Sequence, residues 1–216
     1  MPAVSLRESL RRLLSPLERM AARLLGSESP WEPIRMRVPP GAFGPGSQQP
    51  FARYLEGESS VRVQSIDDIV AWLQTCEYVT DIELFHEQDL WQHPGAFERL
   101  RRGDCEDFAL WAWRKLAEVG VDADFCVGRV ICDEGPDRQH AWVVFHVDET
   151  AFLFEPAARI RSRMIRPLAD AMAEYVPHFA VNHRLDTNAF VGCASDSPQV
   201  EDQSTPSSSD QLGANA

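Results

Sequence analysis

The stretch that most constrains this chain is RRGDCEDFALWAWRKLAEVG, residues 101–120. Asp104 is placed to cap a helix, Gly120 is placed to end it, and the residues from Cys105 to Glu118 favour helix. Gly103, just before, suits a tight turn. At helical spacing Cys105, Phe108, Ala109, Ala112, Leu116 and Val119 fall on one face. A helix with that face has to be covered by a sheet or by other helices. The Cys105 thiol, in the first turn, is therefore expected to face the core sheet rather than open solvent. Trp111 and Trp113 on the same helix read as packing residues.

That position also matters chemically. The deprotonated sulfur is the nucleophile, and a helix N-terminus favours it through unpaired backbone N–H groups and the positive end of the helix dipole. An inert buried cysteine is the commoner fate of a lone Cys, and Cys76, Cys126, Cys132 and Cys193 are read that way. Whether Cys105 differs depends on its partners.

The first partner lies on a later strand. DADFCVGRVICD alternates well enough for one strand, DEGPDRQ supplies turn residues, and HAWVVFHV reads as a second strand beginning at His140. Asp148 and Glu149 can then turn the chain into AFLFEPAAR as an antiparallel hairpin. With a two-residue loop Trp142 lies opposite Glu155, and His140 becomes Glu155's diagonal neighbour on the same face. An imidazole can take the Cys105 proton, while a carboxylate on its other nitrogen fixes the tautomer. A register slip of one residue would put Glu155 on the other face, so this reading depends on the turn. Taken without the cysteine, His140 reads as a strand-end histidine and Glu155 as a turn cap.

Around this unit the chain divides into four parts. Residues 1–26 carry Leu6, Leu10, Leu13, Leu14, Leu17 and Leu24 at helical spacing among several arginines, with Pro16 expected to kink the amphipathic helix. Docking on its own domain is the favoured reading. Contact with a membrane or partner is the sharper alternative, weakened by Glu8 and Glu18. Residues 27–50, including PPGAFGPGSQQP, read as a linker or irregular arm rather than a packed element. The compact domain is expected over 51–192, with Ser65 and Asp68 forming a capping box that opens a helix through Ile66, Ile69, Val70 and Leu73. The tail, 193–216, is too poor in apolar residues to offset the entropy of ordering and is expected to be disordered.

Composition narrows the function classes. With 216 residues, 44% hydrophobic content, six Trp and eleven Phe, the chain can bury one substantial core. A net charge of -12 argues against a polyanion binder, so nucleic acid is not an expected partner. Five cysteines, none in CxxC or zinc-finger spacing, suggest thiols in a reducing compartment. No apolar run of membrane-spanning length and no signal-peptide core is present, so the expected location is the cytoplasm.

The order of a cysteine on a helix, a histidine opening a strand and an acid on the next strand resembles the transglutaminase-like superfamily, and within it the bacterial transglutaminase-like cysteine proteinases. The likeness rests on DLWQHPGAFERLRRGDCEDFALWAWRKLAEVG (89–120), HAWVVF (140–145) and FLFEPAAR (152–159), and more loosely on EYVPHFAVN (174–182). It covers roughly residues 60–190. It implies an α+β, papain-like permuted domain whose nucleophile helix packs on an antiparallel sheet. It also implies a protein or peptide substrate and acyl-transfer chemistry, with hydrolysis favoured over cross-linking. By position Cys105 matches the nucleophile, His140 the base, and Glu155 the place where the family usually has Asp. Glu orients an imidazole as Asp does, but its extra methylene moves the carboxylate.

Asp104, Glu106 and Asp107 would raise a nearby thiol's pKa against the helix dipole. In some members of the resembled group the acids flanking the cysteine bind calcium. Here these are Asp104 and Glu106, whose hard oxygens suit that ion. A solvated carboxylate cluster favourable to the helix dipole is the other reading. For the oxyanion the Cys105 N–H is one expected donor, with Trp91 or Gln92 as guesses for the second. A non-catalytic module that keeps the fold as a binding scaffold is the rival function, and an amidase or amide ligase for a small substrate is a third.

Overall fold

A computed structural model describes residues 29–34, 36–47, 49–132 and 136–191. The expected amphipathic helix over 1–26 and the tail over 193–216 lie outside the described residues.

Strands β1 (Pro33–Ile34), β2 (Glu77–Tyr78), β3 (Arg102–Gly103), β4 (Ala123–Val130), β5 (Arg138–Val147), β6 (Thr150–Phe154), β7 (Ile165–Pro167), β8 (Tyr175–Asn182) and β9 (Thr187–Phe190) are joined by helices. These are α1 (Ala52–Leu55), α2 (Ile66–Leu73), α3 (Asp81–Phe85), α4 (Pro94–Leu100), α5 (Cys105–Glu118), α6 (Arg161–Met164) and α7 (Leu168–Ala171). Seven strands form one sheet in the order β1-β9-β8-β4-β5-β6-β7, with every neighbouring pair antiparallel; β2 and β3 form a small parallel pair. The expected mixture of helix and antiparallel sheet is what forms.

Alternation along β4 and β5 explains why α5 lies where it does. Phe125, Val127, Val143 and Phe145 share one core with Phe108, Ala109, Ala112 and Leu116 of α5. The intervening Cys126, Trp142 and Val144 point the other way, into a second cluster with Leu153, Ala180 and Tyr175. Both central strands are thus covered on both faces, which their nearly continuous apolar sequence requires. Helix α5 is buried on more than its apolar face, from Glu106 through Leu116. Trp111 stacks on Trp72 with ring centroids 4.0 Å apart, and Trp113 Nε1 donates to Ala123 O at 3.1 Å, so both tryptophans pack as expected.

The buried charges of α5 are paired. Lys115 Nζ lies 3.2 Å from Glu98 Oε1, both side chains fully buried, and donates to Val61 O at 2.7 Å. Glu98 also accepts from Ser60 N at 2.7 Å and Trp111 Nε1 at 3.0 Å. Arg114 donates to Glu56 O and Gly57 O at 2.7 and 2.6 Å. Together these bonds hold the 56–61 loop against the far end of the helix.

Several local expectations are met and others are corrected. The Ser65 hydroxyl accepts from Asp68 N at 3.2 Å and opens α2, and the Asp68 carboxylate accepts from Gln64 N at 2.9 Å. Gly120, at φ +75°, ends α5 in the left-handed region. Strand β5 starts at Arg138, two residues before the expected His140. Gly103 lies in β3, and close approach rather than a turn demands it: a Cβ there would sit 2.2 Å from Asp107 Oδ2. The Gly- and Pro-rich stretch does not behave as an unpacked linker. Val38, Phe43 and Ser47 are buried, and Phe43 packs on Phe51 and Phe179 at 4.6 and 5.5 Å. The arm carries apolar residues spaced too widely to show periodicity, yet Val38 and Phe43 fill gaps beside the sheet. Among the described residues no helix is long and apolar enough to cross a membrane.

Candidate active site

Cys105 is the first residue of α5, where backbone N–H groups have no partner within the helix. Asp104, the residue before it, is extended, and its side chain makes no capping bond, contrary to expectation. Its carboxylate turns instead toward Glu106 and the Asp81 backbone. The thiol is half-buried and opens on a cavity of about 400 Å³ shared with Glu106, Asp89, Trp91, Phe43 and His140. The cysteine helix and the histidine strand are therefore brought together as the sequence reading required.

The thiol's own bond points elsewhere. Cys105 Sγ donates to Glu106 Oε2 at 3.0 Å, and no Cys105–His140 hydrogen bond forms among the described residues. Burial, reinforced by the charges of Glu106 and Asp104, drives the thiol's pKa well above its ordinary value. Cys76 and Cys126 are buried with raised pKa values as well, Cys76 at about 11.

The hairpin places the acid as expected. Val147 pairs with Thr150 and Val143 with Phe154 across the Asp148–Glu149 turn, with Asp148 at φ 53°. Extending that register one step sets Glu155 opposite Trp142. His140 Nε2 and Glu155 Oε2 are 2.6 Å apart, and Tyr175 Oη donates to the same carboxylate oxygen at 2.9 Å. The other carboxylate oxygen accepts from Ala157 N at 3.3 Å. Burial and the Glu155 charge push the Tyr175 phenol upward, so it stays protonated and keeps donating. His140 Nδ1 makes no hydrogen bond among the described residues. Behind His140, Gly128 lies opposite it in β4 at a register shift, and a Cβ there would meet Val176 O at 2.2 Å.

Next to the nucleophile is a carboxylate cluster larger than the sequence reading assembled. The carboxylate oxygens of Asp81, Asp104 and Asp107 lie within 4.8 Å of one another, as do those of Asp81, Asp89 and Glu106. Asp81 Oδ1 and Asp104 Oδ1 are buried with no hydrogen-bond partner among the described residues. Burial raises Asp81 to about 6, and burial with the Asp104 charge raises Glu106 much further. Buried, mutually repelling carboxylates with bare oxygens are what a hard divalent cation would satisfy, so the residues fit such an ion. Asp107 is partly committed, since it accepts from Gln92 N at 2.7 Å and from the Gln92 side chain.

That commitment corrects the oxyanion guess. The Gln92 amide is locked onto Asp107 and Arg102 O, and the Trp91 indole donates to Asp89 Oδ1 at 2.8 Å, so neither side chain is a spare donor. Sequence reasoning missed Tyr175, Asp81 and Asp89. Tyr175 stood in a strand quoted only for its likeness, and the two aspartates lie more than a dozen residues upstream of Cys105, where no spacing rule joins them to it.

The sequence profile of the bacterial transglutaminase-like cysteine proteinases (BTLCP) matches residues 46–177. No curated protein matches. Among solved structures, LapG of Legionella pneumophila aligns with TM-score 0.44 and 19% identity over 58% of this chain and 67% of that one. The calcium-bound form of the same protein aligns with TM-score 0.45 and 16% identity over 72% and 82%. With the profile spanning more than half of its residues, including the cysteine helix and the histidine hairpin, the chain belongs to the bacterial transglutaminase-like cysteine proteinases.

Proposed function

We propose that the chain hydrolyses peptide bonds with Cys105 as nucleophile, His140 as base and Glu155 as the acid that orients it. The observation that carries this is the hairpin geometry. His140 opens on the cavity that holds Cys105 while its Nε2 is held by Glu155 at 2.6 Å. Nδ1 is then the nitrogen left to take the thiol proton. The thiolate attacks the carbonyl carbon, the C–N bond breaks as His140 returns the proton to the leaving amine, and water, deprotonated by His140, releases the acyl group. The Cys105 backbone N–H, at a helix N-terminus, is one oxyanion donor.

Asp81 with Asp104 and Asp107, or Asp81 with Asp89 and Glu106, would hold a calcium ion, whose charge, when bound, would offset the crowded carboxylates. Glu106 Oε2 accepts the Cys105 Sγ–H bond at 3.0 Å. A cation held by the Glu106 carboxylate would remove that competitor to His140.

The test is cleavage of a protein substrate mixture by the full chain with and without calcium. New peptide N-termini should be produced by wild type with calcium and be absent for Cys105→Ala and His140→Ala. Folded wild type that cuts nothing under either condition would favour the scaffold reading.

A further inference from the structure

A second cavity, of about 610 Å³, adjoins the first and shares His140 and Gln139 with it but not Cys105. Its walls carry Arg138, Arg163 and Arg166. Arg166 is committed to Glu174, with contacts of 3.2 and 3.0 Å. Arg138 and Arg163 are exposed and have no ion-pair or hydrogen-bond partner for their side chains among the described residues. The acids on the same walls are already engaged, Glu155 by His140 and Tyr175 and Glu174 by Arg166. In a chain of net charge -12, two uncommitted guanidinium groups in one cavity beside the histidine are a local reversal of sign.

We propose that this cavity is a substrate subsite that binds an acidic side chain, Asp or Glu, on the C-terminal side of the bond that is cut, with Arg138 and Arg163 as its recognition residues. The inference rests on the Cys105–His140 reading above. His140 delivers the proton to the leaving amine, so that amine sits at the imidazole, and the chain beyond it runs away from Cys105 into the cavity that holds His140 alone. Arg138 is two residues before His140 on β5, on the same face, about 7 Å along the strand. An extended substrate covers that distance in two residues, which places the acidic side chain at the second or third position after the cut. Two planar guanidinium forks match the geometry of a carboxylate. Arg163 comes from α6, so the subsite is assembled from two elements that flank the His140–Glu155 pair.

The test pairs cleavage with binding. Full-length wild type with calcium is given N-acetylated, C-amidated peptides that differ only in carrying Glu or Gln at both the second and third positions after the cut, and the Gln peptide with a free C-terminus. The expected result is preference for the Glu peptide. It should weaken with added salt and fall about tenfold toward one in Arg138→Gln/Arg163→Gln, whose exposed positions tolerate the change. Equal cleavage of the Glu and Gln peptides, preference for the free carboxylate instead, or a preference that survives the double substitution overturns the proposal. Binding is read separately on Cys105→Ala by NMR of the arginine Nε–H signals. The Glu peptide should shift Arg138 and Arg163 and the Gln peptide should not, while absence of a shift overturns the subsite. Shifts without any cleavage by wild type would keep the subsite and refute the peptidase reading.

Discussion

Glu155 carries more of the site's geometry than its place at a strand end suggests. One of its oxygens receives both His140 Nε2 and the Tyr175 hydroxyl, so the carboxylate is fixed by a residue from β8 before it orients the imidazole. Glu155→Gln keeps the size but offers an amide where two donors converge. We expect kcat/KM to fall by at least about 100-fold with little change in melting temperature. Tyr175→Phe removes one charge-assisted bond and should cost about tenfold, mainly in kcat. Steady-state kinetics on one peptide substrate checks both. At this scale the placement of Cys105 and Glu155 was legible because a helix start and a two-residue turn fix them locally, whereas His140 lies two residues inside the strand it was expected to open. Tyr175 was not legible. It reaches Glu155 only because β8 pairs with β4, which leaves β8 three places from β6 in the sheet, and no local pattern encodes that distance.

At the scale of elements, α5 shows how much a sequence pattern can conceal. Its apolar face was plain, but the burial of Lys115 and Arg114 was not, because a periodicity argument assigns charges to solvent. They are buried because Glu98 and the carbonyls of the 56–61 loop meet them. Removing one partner leaves the other charge buried and unpaired, so Lys115→Met should lower stability by about 3–5 kcal/mol in a denaturant titration. Burial alone would raise Glu98, but its bonds from Ser59, Trp111, Ser60 and Lys115 outweigh that and hold it at about 2. A depressed carboxylate contributes stability above its unfolded value and loses it as pH falls through the folded one. Acid should therefore destabilise wild type progressively between about pH 4.5 and 2. The hairpin register was legible from the Asp148–Glu149 turn. The packed arm around Phe43 was not, because Gly and Pro mark its turns while its few apolar anchors have no period.

For the whole molecule, the proposed cation site would link stability to calcium. Asp81 is raised by burial to about 6, so its contribution without a cation is largest at low pH and is lost as pH rises through that value. Calcium should reverse the trend by binding the ionised form and releasing protons. Melting curves at about pH 5 and 7.5 are expected to show a small calcium effect at the lower pH and a rise of several degrees at the higher. Asp104→Asn and Glu106→Gln should each raise the cation-free melting temperature and abolish the calcium effect. The sequence exposed only the two acids flanking Cys105; folding of α3 and the 86–92 loop brings Asp81 and Asp89 to them.

The central claim is that Cys105 is a nucleophile restrained by Glu106 and released by a cation. Iodoacetamide alkylation rates, mapped to each cysteine in the folded full chain with and without calcium, test it most directly. Without calcium, Cys105 should react no faster than the half-buried Cys132. With calcium it should become the fastest of the cysteines, and that gain should vanish in His140→Ala. A Cys105 rate that calcium leaves unchanged, or that never exceeds that of Cys132, would contradict the account.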